Sequence, residues 1–149
     1  MVAEGESRLR VLPVTPESWE DMAALFGARG SPGYCWCMAY RRESSADMSN
    51  AAKREAMQRL VAGGTPVGVL AYDGEEAIGW CSVAPRETYA RLARSRTMPR
   101  ATGEPTWTVL CFFVKRSHRK KGVTRDLLRG AIDYARGRGA RYIEGYPFD

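Results

Sequence analysis

The sequence predicts a mixed α/β fold in which helices flank a largely antiparallel central sheet containing one splayed parallel strand pair. Three observations predict it. Two β-branched runs flank Asp73-Gly74, a dipeptide that turns hairpins readily. Trp107-Thr-Val-Leu-Cys-Phe-Phe-Val114 is apolar at nearly every position, as in a central strand covered on both faces. The last third reads strand, basic loop, amphipathic helix, strand, an order that predicts a right-handed crossover between parallel strands.

The elements follow in order. Arg8 to Val14 alternates like a short strand, with Leu9 and Val11 on one face. Thr15 is a suitable N-cap and Pro16 suits a first helical position. Glu17 and Glu20 favour the positive end of the dipole. Trp19, Met22, Ala23 and Phe26 recur at helical spacing up to Gly27. After the turn signal at Gly30 to Gly33, Tyr34-Cys-Trp-Cys-Met-Ala-Tyr40 shows no clear period and reads as core packing or as the lining of an acceptor pocket. Ser49 to Val61 predicts a second helix, with Ala52, Ala56, Met57 and Leu60 on one face and Gly63-Gly64 as its stop.

Val67 to Tyr72 and Ala77 to Val83 form the hairpin. Ala84-Pro85 is expected to break its second strand, Arg86 to Arg94 reads as a short helix, and Arg96 to Pro105 as a loop. Beyond the apolar strand, Val123, Leu127, Leu128, Ala131, Ile132 and Ala135 trace the expected buried face of a helix ending near Gly137 or Gly139. Arg141 to Tyr146 supplies the final strand.

Composition bounds the rest. At 149 residues the chain fits a single domain spanning 1–149. Its 44% hydrophobic and 27% charged residues are those of a soluble globular protein, and no apolar run reaches the ~20 residues of a membrane span. The N-terminus lacks the apolar core of a secretory signal, so a cytoplasmic location is expected. Cys81 and Cys111 fall within apolar strands, Cys35 and Cys37 form a C-x-C pair, and the sole histidine, His118, lies far from them. No zinc-ligand spacing is complete, and no metal is expected.

The net charge of +6 is concentrated at Lys115, Arg116, Arg119, Lys120, Lys121 and Arg125. A helix start presents N–H groups without partners and a partial positive charge, so cations and a glycine placed there suit a diphosphate. Gly122 lets the backbone approach such a ligand without an intervening Cβ. Nucleic acid is not expected as a partner, because the cations surround one helix start instead of spreading along a surface with stacking aromatics. His118 is expected to be exposed and without a catalytic role.

With its apolar strand, basic loop, helix and further strand, the segment from Trp107 to Tyr146 resembles the GNAT N-acetyltransferase superfamily. The signature of that family is Gln or Arg, two variable residues, Gly, one variable residue, then Gly or Ala; here it reads Arg119-Lys120-Lys121-Gly122-Val123-Thr124. The resemblance implies acetyl-CoA as co-substrate, held by Arg119, Lys120, Lys121, Gly122, Val123, Thr124 and Arg125. It also implies that Phe112, Phe113 and Val114 form the strand end that hydrogen-bonds the pantetheine arm.

The activity implied is acetyl transfer from acetyl-CoA to a primary amine of a small molecule or protein, the alternative being a non-catalytic acyl-CoA-binding or regulatory module. Thr124 departs from the signature; its β-branch narrows the phosphate site, whereas its hydroxyl suits donation to a phosphate. No carboxylate lies inside Trp107 to Val114, so Glu104 and Glu144 are the nearest base candidates and Tyr146 a proton-donor candidate. The sequence stops at Asp149, before the further helix and C-terminal hairpin of the family layout. The expectation is a chain shortened at that end, a last strand covered by a second copy in a homodimer, or different local chemistry.

Overall fold

Among the described residues, five strands form one sheet in chain order: β1 (Arg10–Pro13), β2 (Gly68–Asp73), β3 (Glu76–Pro85), β4 (Thr106–Val114) and β5 (Tyr142–Gly145). Helices α1 (Trp19–Phe26), α2 (Asn50–Ala62) and α3 (Val123–Gly137) cover it. These elements come from a computed structural model, which describes residues 9–27, 50–89 and 105–145. The readings placed on Tyr34 to Tyr40, Cys35, Cys37, Glu104 and Tyr146 lie outside the described residues, as do most of the Arg86 to Arg94 and Arg96 to Pro105 segments.

Neighbouring strands run antiparallel except β4 and β5, which are parallel. Period-two alternation sends side chains to opposite faces and builds two apolar cores. On one face Leu70, Tyr72, Trp80 and Phe113 meet Trp19, Met22 and Phe26 of α1 and Met57 and Val61 of α2. The Phe26 ring stands edge-on to Trp80 at 5.7 Å between centroids. Tyr72 donates its hydroxyl to Asp21 at 2.7 Å, tying α1 to β2; burial and that bond push its pKa up to about 12. On the other face Val69, Ala71, Cys81, Val83, Trp107 and Val109 receive Val123, Leu127, Ala131 and Ala135 of α3.

The glycines that end α2 and α3 do so by the same device. Gly64 (φ 81°) and Gly139 (φ 96°) take left-handed backbone, and the following N–H groups of Thr65 and Ala140 reach back to the carbonyls of Leu60 and Ala135. This is the Schellman termination, which favours glycine.

Several details differ from the sequence expectation. Thr15 leads into a 3₁₀ turn at Pro16–Ser18, with Ser18 Oγ accepting the Thr15 N–H at 2.9 Å, so α1 begins only at Trp19. The hairpin loop is Gly74-Glu75, one residue later than the Asp73-Gly74 reading, because Asp73 pairs with Glu76. Gly74 (φ 64°) supplies the one positive φ, the pattern of a type II′ turn. β3 runs two residues past Val83 and ends at Pro85, opposite Trp107, within the Ala84-Pro85 dipeptide expected to break it.

β4 is internal and buried through Thr106 to Val109, yet Phe112 is 38% exposed. The described pairing with β5 runs up to Val109 opposite Gly145. Leu128 is 40% exposed instead of buried, because the contact stripe of α3 runs at four-residue steps from Val123 to Ala135 and Leu128 is turned about 100° from it. Arg86 continues β3 as a 3₁₀ turn to Thr88, and Tyr89 leaves helical backbone, so the expected helix does not start at Arg86.

Two glycines hold faces together by close approach. A Cβ on Gly68 would lie 2.2 Å from the Cys81 carbonyl and 2.6 Å from the Trp80 ring, and one on Gly130 would lie 2.2 Å from Val11 Cγ1. At Gly68 neither neighbour can yield without moving β3. Gly68→Ala is therefore expected to destabilise the fold by about 2–3 kcal/mol, as overpacking does. Urea unfolding checks this, and an unchanged midpoint would contradict the packing described.

Candidate functional site

The loop between β4 and α3 gathers the basic residues singled out in the sequence. It opens with a 3₁₀ turn at Arg116–His118, passes Arg119 in extended backbone, and enters α3 through Gly122 in left-handed backbone (φ 78°, ψ 12°). A Cβ at Gly122 would meet nothing within 4 Å, so the left-handed φ, and not crowding by the protein, is what favours glycine.

Gly122 is the N-cap of α3, and its side-chain position offers no cap. The first intrahelical bond is Asp126 N–H to the Gly122 carbonyl at 3.2 Å, which leaves the N–H groups of Val123, Thr124 and Arg125 as the orphan donors of the first turn. The passage from left-handed Gly122 into right-handed Val123 turns successive N–H groups toward one concavity, a nest for an anion. A cleft of about 470 Å³ opens there, lined by Val114, His118, Arg119, Lys120, Gly122, Val123, Thr124 and Arg125. Lys120, Lys121 and Arg125 are exposed around it.

Lys120 carries a positive φ of 63°, the only such non-glycine among the described residues. A lysine there costs roughly 1–2 kcal/mol of backbone strain, and such conformations persist where surrounding contacts over-determine them. No sequence signal marked it, since left-handed backbone is expected at Gly or Asn.

At the strand end, the Lys115 N–H donates to the Ile78 carbonyl at 2.9 Å. Antiparallel alternation then turns the backbone groups of Phe113 toward β3 and those of Phe112 and Val114 toward the opposite edge. Arg119 Nε donates to the Val114 carbonyl at 2.9 Å on that edge, with its guanidinium 6.0 Å from the centre of the Phe113 ring. Of the three strand-end residues read from the sequence, Phe112 and Val114 thus present main-chain groups to the edge away from β3. Phe113 instead places its ring in the α1 core.

The carboxylate of Glu144 is engaged. It forms an ion pair with Arg86, which is 4% exposed, and accepts Thr108 Oγ1 at 3.0 Å. Glu144 stands opposite Thr108 in the parallel pair, so this cluster joins β5 to β4 and to the turn that leaves β3. Neither Arg86 nor Thr108 was marked by the sequence, as their partner lies 58 and 36 residues away.

His118 differs from its expected free exposure. Its side chain is 19% exposed; Nε2 bonds Asp73 at 2.9 Å and Nδ1 bonds Ser117 Oγ at 2.8 Å. Beside it Lys115 pairs with Glu76, so both ends of the hairpin loop grip the basic segment.

Between β4 and α3, a left-handed glycine and an uncapped helix start thus form a concavity whose chemistry suits an anion. The chain belongs to the acetyltransferase (GNAT) family, whose profile matches residues 20–145. No curated protein matches the sequence. Among solved structures, the aminoglycoside N-acetyltransferase AAC(6′)-Iy in complex with CoA superposes with a TM-score of 0.61 at 14% identity, covering 99% of this chain and 82% of that one. A ribosomal-protein-alanine N-acetyltransferase from Brucella melitensis biovar Abortus 2308 gives 0.56 at 14%, over 92% and 78% of the two chains. A transcriptional regulator from Bacillus halodurans C-125 gives 0.58 at 17%, over 95% and 83%. Comparable scores for proteins so differently named show a shared fold and leave the acceptor undetermined. No helix among the described residues is long and apolar enough to cross a membrane.

Proposed function

We propose that the protein transfers the acetyl group of acetyl-CoA to a primary amine by direct attack within a ternary complex. The observation that carries this reading is the cleft at the start of α3, where the N–H groups of Val123, Thr124 and Arg125 and the charges of Lys120, Lys121 and Arg125 converge. Oriented amides and cations of this kind suit a diphosphate, and the cleft has the size of a small-molecule site.

The chemistry asks little more of the protein. The amine lone pair forms the new C–N bond to the thioester carbonyl, the C–S bond breaks, and the amine's surplus proton ends on the departing thiolate directly or through a relay. In this reading main-chain N–H groups of β4 near Phe112 polarise the carbonyl. Glu144 is held by Arg86 and Thr108, which favours a structural role for it over that of base. Glu104 and Tyr146 keep their candidacies as base and proton donor.

Calorimetry with acetyl-CoA, followed by detection of released CoA thiol across a panel of amines, tests the proposal. Aminoglycosides and alanine-bearing ribosomal protein head the panel, because fold neighbours are named for acetylating them. Binding with amine-dependent thiol release is the expected result. Binding without release from any amine would favour the alternative of a regulatory acyl-CoA-binding module, for which the regulator among the fold neighbours gives precedent in name. A homodimer in which a second copy covers the outer edge of β5 belongs to the same reading. Light scattering at twice the 16.6 kDa chain mass would support it, and the mass of a single chain would remove it.

A further inference from the structure

The contacts around the basic loop pose a mechanical question: what holds Lys120 in left-handed backbone and Gly122 at the correct angle before any ligand arrives? On the helix side the answer is the bond from Asp126 N–H to the Gly122 carbonyl. On the strand side the main-chain ties are Lys115 N–H to Ile78, His118 N–H to Lys115 and Arg119 N–H to Arg116, together with Arg119 Nε to the Val114 carbonyl. Among the described residues, the side-chain ties that reach the segment from another element come from one place, the tip of the β2–β3 hairpin. Asp73 and Glu76 face each other across its two-residue loop, and each takes one residue of the basic segment, Asp73 taking His118 and Glu76 taking Lys115.

We propose that the hairpin tip is a latch for the cofactor loop, in which Asp73 and Glu76 act as positioning residues that set the backbone from Arg119 to Gly122 in its phosphate-receiving form. The inference rests on the acetyl-CoA reading above. His118 lines the cleft, and both of its ring nitrogens are engaged, one by Asp73 and the other by Ser117, so its ring orientation is set from both sides. The carboxylates themselves do not face the cleft. They are more than half exposed, and they act through the residues they hold.

The sign of the effect separates this role from a plain surface charge. Asp73 and Glu76 lie close to a site for a polyanion, so their negative charges repel it, and deleting them should tighten binding if they do nothing else. A latch gives the opposite result, because without it the loop must be ordered by the ligand at the expense of affinity.

The test compares the intact chain with D73A/E76A and with the isosteric D73N/E76Q. Acetyl-CoA affinity is measured by calorimetry, and that of acetyl-pantetheine, which lacks the diphosphate, by ligand-observed NMR. The expected result is acetyl-CoA bound about three- to tenfold more weakly by D73A/E76A. Partial recovery is expected in D73N/E76Q, which keeps hydrogen-bond acceptors in both places, with acetyl-pantetheine unchanged throughout. Equal or tighter acetyl-CoA binding by D73A/E76A overturns the latch while leaving the cofactor reading intact. Parallel weakening of acetyl-pantetheine also overturns it, since the damage would then be general. Failure of the intact chain to bind acetyl-CoA overturns the cofactor reading and the latch together.

Discussion

Gly122→Val lowers affinity for acetyl-CoA by at least about tenfold while the protein stays folded. Two costs combine to give this. A β-branched residue in left-handed backbone carries roughly 1–2 kcal/mol or more of strain, and each 1.4 kcal/mol is a factor of about ten in affinity. The chain relieves the strain by abandoning φ 78° and turning the N–H groups of Val123 and Thr124 out of the nest. If the backbone holds instead, the new side chain projects into space that is open in the unliganded protein and that the diphosphate needs. Both routes act on the ligand site, and the nearby core of α3 at Val123 and Leu127 is untouched. Calorimetry beside a thermal melt checks the prediction, and equal affinity in a folded variant would contradict it.

Arg86→Met destabilises the fold by about 3 kcal/mol, the second large effect expected. The guanidinium is nearly inaccessible, and its removal takes away the countercharge that Arg86 supplies to the Glu144 carboxylate, itself 14% exposed. Breaking one half of a buried pair costs more than the pair contributes, because the remaining charge is stranded. Arg86→Met combined with Glu144→Gln should therefore be more stable than Arg86→Met alone. Urea denaturation of both single variants and the double variant reads this directly, and additive losses would show that the pair is not coupled. The consequence reaches the site, since this cluster fastens β5 to β4, the strand that leads into the basic loop.

How much of this was legible in the sequence depends on the range of the interaction. Local signals were sufficient for the elements: the turn residues after Asp73 placed the hairpin within one residue, Gly64 and Gly139 marked helix ends by a backbone need only glycine meets cheaply, and Gly122 marked the start of α3. The same holds for the cation cluster, whose members lie within one loop and the first turn of its helix. Periodicity failed where burial depends on what a neighbour covers. Leu128 has the character of a core residue yet is turned away from the contact stripe of α3 and 40% exposed, and Phe112 lies in an apolar run yet is 38% exposed.

Pairings between distant residues left no trace at all. Arg86 with Glu144, His118 with Asp73, and Gly130 against Val11 are each set by the assembled sheet, so His118 could be read only as an isolated histidine in a charged loop. The left-handed Lys120 belongs with these, because lysine gives no local hint of positive φ and the conformation is imposed by the ties on either side of it.

The claim on which the functional reading stands is that the uncapped amides opening α3 receive the diphosphate of acetyl-CoA, and backbone amide NMR during titration with acetyl-CoA tests it most directly. The account predicts large, saturable shifts at Gly122, Val123, Thr124 and Arg125 that follow the calorimetric binding curve. Binding measured by calorimetry while those four resonances stay in place would contradict it.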